Sequence, residues 1–178
     1  MSGTETTPIP SHFASELYLW LWWASEQQQA RFELPQPVGV VHVWVESRLA
    51  FRRVDDTKIT AVMTGENPAA SLEARAALTG GKVLQELRVG IRRDDREFSV
   101  TLKGPGIHIG ALKVPQVLSE EAVEAVIDRM FLVEEAQTVI DGLIQAFAKV
   151  RGRAAWVDDI EPAIRSWLDS APAERDDE

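Results

Sequence analysis

The stretch from Lys82 to Lys113 leaves the chain little freedom. With Asp94-Asp95 at the tip of a hairpin, Arg93 pairs with Arg96, and Ile91, Val89 and Leu87 fall opposite Phe98, Val100 and Leu102. The alternate positions set Arg92 against Glu97 and Glu86 against Lys103. A slip of one residue would turn every apolar side chain to the wrong face, so the apolar and ionic patterns independently select one register. One face of this hairpin belongs to a core. On the same strand Lys82, Glu86, Arg88 and Arg92 are expected to share the other face. Gly104-Pro105-Gly106 then turns the chain into a further strand, Ile107 to Val114, stopped by Pro115.

The remaining elements follow from periodicity. Residues Ser11 to Gln29 read as a helix with Ser11 as N-cap, and Phe13, Leu17, Trp20, Leu21 and Ala24 lie on one face. Tyr18, Leu19, Trp22 and Trp23 make the other side apolar too. Such a helix is covered on all sides, either inside the protomer core or against a second subunit. Leu17, Trp20, Trp22 and Trp23 are therefore candidates for self-association. The run Leu17 to Trp23 falls far short of the roughly 20 residues that a membrane span needs, and no membrane partner is expected. From Val38 the period becomes two. Val41, Val43 and Val45, then Leu49, Phe51 and Val54 after Glu46-Ser47, predict a hairpin, with a third strand from Lys58 to Met63. Asn67 as cap and Pro68 as first residue predict a short helix through Leu78, stopped by Gly80-Gly81.

After Ser119, Val123, Val126, Ile127, Met130, Phe131, Ile140, Leu143, Ile144 and Phe147 recur at helical spacing up to Gly152. Unbroken, that helix would span about 45 Å. A domain of this size has a radius of gyration of only about 16 Å. The helix is expected either to break near Glu134-Glu135 or Gly142, or to reach into an oligomer. A last helix, near Asp159 to Asp169, presents Ile160, Ile164, Trp167 and Leu168 and tolerates Pro162 in its first turn. This order of elements predicts an α+β fold with a mainly antiparallel sheet. The expected organisation is one domain over residues 11–168, with a loose tail at 1–10 and an acidic tail at 169–178.

Chemistry is sparse. The 178 residues include no cysteine, which removes disulfides, thiolate metal sites and thiol nucleophiles and is consistent with a cytoplasmic setting. His12 lies near the N-terminal tail, while His42 and His108 read as strand histidines. No Ser-containing nucleophile elbow or metal-ligand spacing is present in the sequence. The acidic pairs Asp94-Asp95, Glu120-Glu121, Glu134-Glu135 and Asp158-Asp159 are adjacent residues that do not face one another on a helix. Gly80-Gly81-Lys82 lacks the first glycine and the Ser/Thr of a phosphate loop and follows a helix instead of preceding one. Neither an enzyme nor a cofactor is expected. The net charge is −9, yet residues 75–115 hold eight basic residues against four acidic ones. That local excess makes a phosphate-facing surface conceivable on an acidic chain.

The order of motifs resembles the C-terminal part of the recombination-associated RdgC family. The likeness rests on ASELYLWLWW, NPAASLEARAALTGGKVLQELRVGI, the hairpin REFSVTLK, IGALKVP and the helix after it, and covers roughly Ala14 to Gly152, with Trp20, Gly81-Lys82 and Lys113 among the matching residues. The resemblance implies a non-enzymatic, nucleoid-associated protein that dimerises, contacts duplex DNA with little sequence preference and restrains the RecA recombinase. It carries Lys82, Arg88 and Lys113 over as DNA-facing positions. The charge pattern adds Arg92 and Lys103. The alternative is an acidic protein-protein interaction module, a homo-oligomeric adaptor without DNA binding.

Overall fold

The computed structural model describes residues 12–27, 29–56, 58–65 and 71–170. Its sheet is built on the hairpin of β4 (Lys82–Arg93) and β5 (Arg96–Lys103), in the register that the sequence selects: Arg93 opposite Arg96, Ile91 opposite Phe98, Arg92 opposite Glu97, Glu86 opposite Lys103. Strand β6 (His108–Lys113) continues it on the far edge. On the near side lies β2 (Gly39–Arg53), whose own outer edge carries β1 (Arg31–Leu34) on its first part and β3 (Ile59–Thr64) on its second. The result is a six-stranded antiparallel sheet with helices added, an α+β fold.

The hairpin expected around Glu46-Ser47 is instead the middle of one fifteen-residue strand. Between Val45, paired with Val89, and Leu49, paired with Leu87, β2 takes four steps while β4 takes two, so Glu46 to Arg48 bulge outward. Both step counts are even. The pleat therefore resumes in phase, and Val43, Leu49 and Phe51 all reach the same core. Strand β1 carries too short an apolar pattern to stand out in the sequence; Phe32 and Leu34 alternate with exposed Arg31 and Glu33.

Helix α1 (Phe13–Gln27) lies across β2 and β4 and is enclosed by α3 (Ala122–Arg151) and α4 (Glu161–Asp169). Trp20 packs against the rings of Phe32 and Phe147, and Trp22 meets Trp167 edge-on at 5.1 Å. Leu17, Trp20 and Trp22 are thus inside the protomer and Trp23 is half-buried against the same core, which removes α1 as the self-association surface. Its all-round apolar character reflects burial between a sheet and two helices.

Helix α2 (Leu72–Thr79) starts from Ser71, whose hydroxyl accepts from the Ala74 amide, and ends at Gly80. The caps read from sequence at Ser11 and Asn67, the Pro68 start and the tails at 1–10 and 171–178 lie outside the described residues. Glu26 joins three helices: its carboxylate accepts from the indole N–H groups of Trp22 and Trp167 and from the Arg75 guanidinium. Arg75 also donates to the carbonyls of Trp167 and Ser170, so the folded domain runs past the expected boundary at residue 168.

Helix α3 has 30 residues and does not break. Glu135 holds Arg93 and Arg96 at 3.1 and 2.6 Å, which sets one carboxylate between two like charges paired beside the hairpin tip and offsets their repulsion. Gly142 lets the helix close on β1, because a Cβ there would sit 3.3 Å from Leu34 Cδ1. From Ala136 to Phe147 one face of the helix is buried in the core. The preceding turns project, with Val123, Val126, Ile127, Met130 and Phe131 exposed. Ser119 donates its hydroxyl to the Glu124 carboxylate in place of capping a helix amide. No helix among the described residues is long and apolar enough to cross a membrane.

Tyr18 is the chain's one tyrosine and is fully buried, its hydroxyl donating to the Gly104 carbonyl at 2.9 Å. Burial, with a smaller contribution from the Glu86 charge, pushes its pKa above the usual phenol range. The unfolded chain loses this proton from about pH 10 while the folded chain keeps it, so above that pH the unfolded state binds fewer protons and stability falls as pH rises. Absorbance titration at alkaline pH is expected to show no phenolate until the protein unfolds, and ordinary titration in urea.

Candidate nucleic-acid interface on the open sheet face

The helices pack on one face of the sheet, around the core formed by Val41, Val43, Leu87, Val89, Val100 and Leu102. Among the described residues no element covers the other face. Its side chains are set by the pleat. Across the middle run Trp44, Gly90, Ser99 and Lys113. On one side of that row lie Arg31, His42, Arg92 and Glu97; on the other, Arg48 and Glu46 flank Arg88 and Thr101. Beyond these come Ala50, Glu86, Lys103 and His108, and then Arg52.

Most of these charges are occupied. Arg88 Nε donates to Glu46 at 3.0 Å, and the same Glu46 oxygen accepts from Ser99 Oγ. Arg48 Nε donates to Glu86 at 3.1 Å. Arg52 is held by Gln85 Oε1 and by the carbonyls of Arg53, Val54 and Asp56. Arg92 and Glu97 face each other loosely at 3.8 Å, both largely exposed, and Arg31 pairs with Glu33 on the edge. Lys103 and Lys113 are exposed and make no ion pair among the described residues. The face carries seven basic residues (Arg31, Arg48, Arg52, Arg88, Arg92, Lys103, Lys113) against four acidic ones (Glu33, Glu46, Glu86, Glu97), on a chain of net charge −9.

The structure thus brings Arg88, Arg92, Lys103 and Lys113 onto one surface and sends Lys82 elsewhere. Ala50 pairs with Glu86 but the next residue, Phe51, pairs with Leu84, so Gln85 is an extra residue in β4. That bulge inverts the pleat before it. Lys82 falls on the side of buried Leu84, half-buried at the end of the strand beside Arg53. Glu86 stands opposite Lys103 as expected, but its carboxylate turns to Arg48 on the neighbouring strand, leaving the Lys103 ammonium to solvent. His42 and His108 belong to this surface as sheet side chains. Among the described residues no group of three or more His, Asp or Glu is placed to hold a metal ion.

Trp44 is a candidate functional residue that the charge pattern does not mark: it alternates with Val43 and Val45 as an outward strand position. The signal was present: a tryptophan in the solvent phase of an amphipathic strand has no core to enter. Comparison with protein-family models, with curated proteins and with solved structures returns no match to this chain. What the open face can do is decided by its charges and its shape.

Two ion pairs on this face differ in burial and should differ in worth. Glu46→Gln leaves a guanidinium that is only 17% exposed without its counter-charge, and a loss of about 1–2 kcal/mol is expected in urea unfolding. Glu97→Gln removes an exposed partner and should cost less than about 0.5 kcal/mol.

Proposed function

We propose that this is a non-enzymatic, DNA-associated protein, related in kind to the RdgC family, which grips the sugar-phosphate backbone with its open sheet face and does not read sequence. The observation that carries the reading is the basic excess on one uncovered face of an otherwise acidic chain, with Lys103 and Lys113 free of ion pairs among the described residues. Positioned cations supply phosphate affinity without base information. The contact set is Arg92, Lys103 and Lys113, with Arg88 behind them; Lys82 is no longer part of it.

A second reading, an acidic adaptor that works by self-association, is favoured by the projecting half of α3. Val123, Val126, Ile127, Met130 and Phe131 are exposed there, Phe131 by 64%, beside an open groove of about 530 Å³ lined by Val117, Val126, Met130 and Val133. The occupant we assign is a second copy. Val123, Ile127 and Met130 form one stripe of the helix, and an antiparallel pairing of two copies sets Ile127 against the partner's Met130 twice. Self-association through this half of α3 is compatible with DNA contact, since it and the sheet face share no residue; the adaptor reading differs in having no DNA binding.

Duplex binding should weaken with salt at a log-log slope of about −2.7 for three phosphate contacts per chain, from a dissociation constant of roughly 10⁻⁴ to 10⁻⁶ M at physiological salt. Lys103→Ala with Lys113→Ala should flatten the slope by about 1.8, equally for every sequence. Lys82→Ala should leave it unchanged. No retention of duplex or single strand at about 20 mM salt, where charges reach over roughly 20 Å, would exclude the DNA reading.

Light scattering at micromolar concentration is expected to give twice the chain mass. Ile127→Glu with Phe131→Glu, both exposed in the protomer, should return the monomer mass without lowering the melting temperature. A monomeric parent protein would sink the pairing.

A further inference from the structure

The residue that the charge pattern does not explain is Trp44. It lies directly opposite Gly90, and a Cβ built on Gly90 would fall 2.2 Å from the indole Cε2, 2.4 Å from Cζ2 and 2.5 Å from Nε1. Cε2 is the fusion atom bonded to both of the others. Approach to the indole edge would bring Cζ2 and Nε1 closest; with Cε2 nearest, Gly90 faces the plane of the ring. The indole therefore lies on the sheet, glycine beneath it, with its second face turned away from the strands. Trp44 is half-buried, as one covered face requires. The ring-ring and cation-ring contacts among the described residues involve other tryptophans, so none of them takes the outer face.

A glycine under a tryptophan on an uncovered, net basic sheet face makes a flat π-surface surrounded by cations. Arg92 and Arg88 are its diagonal neighbours on β4, and Lys113 ends its own row about 14 Å away across three strand spacings. Such a surface stacks any base that presents its face, and the cations take the flanking phosphates. In a duplex the bases show only their edges, and the face of an interior base is not available. We infer that Trp44 is a stacking platform for an unpaired base, so that the open sheet face takes single-stranded nucleic acid in preference to duplex. This rests on the phosphate-contact reading above and adds to it which form of nucleic acid is bound.

Three fluorescently labelled probes of about 12 nucleotides test it by anisotropy at low salt: oligo(dT), a duplex of the same length, and an abasic strand with the same phosphates. The unmodified protein should bind oligo(dT) best. Trp44→Leu, which still covers Gly90 but offers no ring, should weaken oligo(dT) roughly tenfold and leave duplex and abasic strand within about twofold, while Trp44→Phe keeps most of the affinity. Equal binding of oligo(dT) by Trp44→Leu and by the parent protein, with all three probes lost on removing Lys103 and Lys113, would overturn the platform and leave the phosphate reading standing. Failure of every probe to bind would overturn both. Should Trp44→Leu not fold, photocrosslinking of the parent protein to a strand carrying 5-iododeoxyuridine decides: attachment at Trp44 supports the platform, and attachment only elsewhere refutes it.

Discussion

One carboxylate, that of Glu26, ties together three of the helices that cover the sheet's apolar face. It accepts from Trp22 on its own helix, from Trp167 on α4 and from Arg75 on α2. Arg75 is only 5% exposed, and a charge buried so far must be paired and hydrogen-bonded to be tolerated. It meets that condition almost fully: two of its contacts are carbonyls at the end of α4, where a cation also complements the helix dipole, and its guanidinium lies 4.4 Å over the Trp167 ring. Its Nε alone is buried with no partner among the described residues. Three helices tied at one point gather on one face of the sheet, and the opposite face is left bare by the same arrangement.

That division separates the chemistry as well. The helical side is rich in aromatic contacts, with Phe147 meeting Phe13, Trp20 and Trp156 within 5.4 Å. The bare side is a lattice of alternating charge, in which Glu46 and Glu86 hold Arg88 and Arg48 in place and leave the two lysines nearest the β6 edge to solvent. Fixed arginines and free lysines differ in use. The former are held in one geometry by their carboxylates; the latter are long side chains whose charges stand in solvent.

What could be read from the residues alone follows the strength of the local pattern. The β4–β5 hairpin was legible to the residue because its apolar and ionic alternations demanded the same register. Bulges were not. The excess of two residues at Glu46 to Arg48 resembled a turn, since the interrupted alternation of a bulge and the punctuation of a hairpin look alike without the partner strand. The single extra residue at Gln85 carried no signal and reversed the face assigned to Lys82. Helix α3 was expected either to break near Glu134-Glu135 or Gly142 or to reach into an oligomer; it does not break, and Glu135 and Gly142 are contacts with the sheet, one ionic and one steric, which only the tertiary arrangement supplies. For α1, periodicity required cover on every side and could not say whether a protomer or a partner provides it. Trp44 carries no charge, and only its outward phase in an amphipathic strand marks it.

Helix α3 has a mechanical side. It is anchored from Ala136 onward and free before it, and the clamp of Glu135 on Arg93 and Arg96 stands at the boundary between the two parts. The helix has no proline, no π-bulge and no other break near that point to absorb bending. The arm and the anchored half are therefore one continuous rod, and the rod touches the sheet at the hairpin tip. From that tip β4 and β5 run straight into the bare face, carrying Arg92, Arg88 and Lys103 along their length. Where the arm leaves the core, its ionic contact is with the two strands that present the charges.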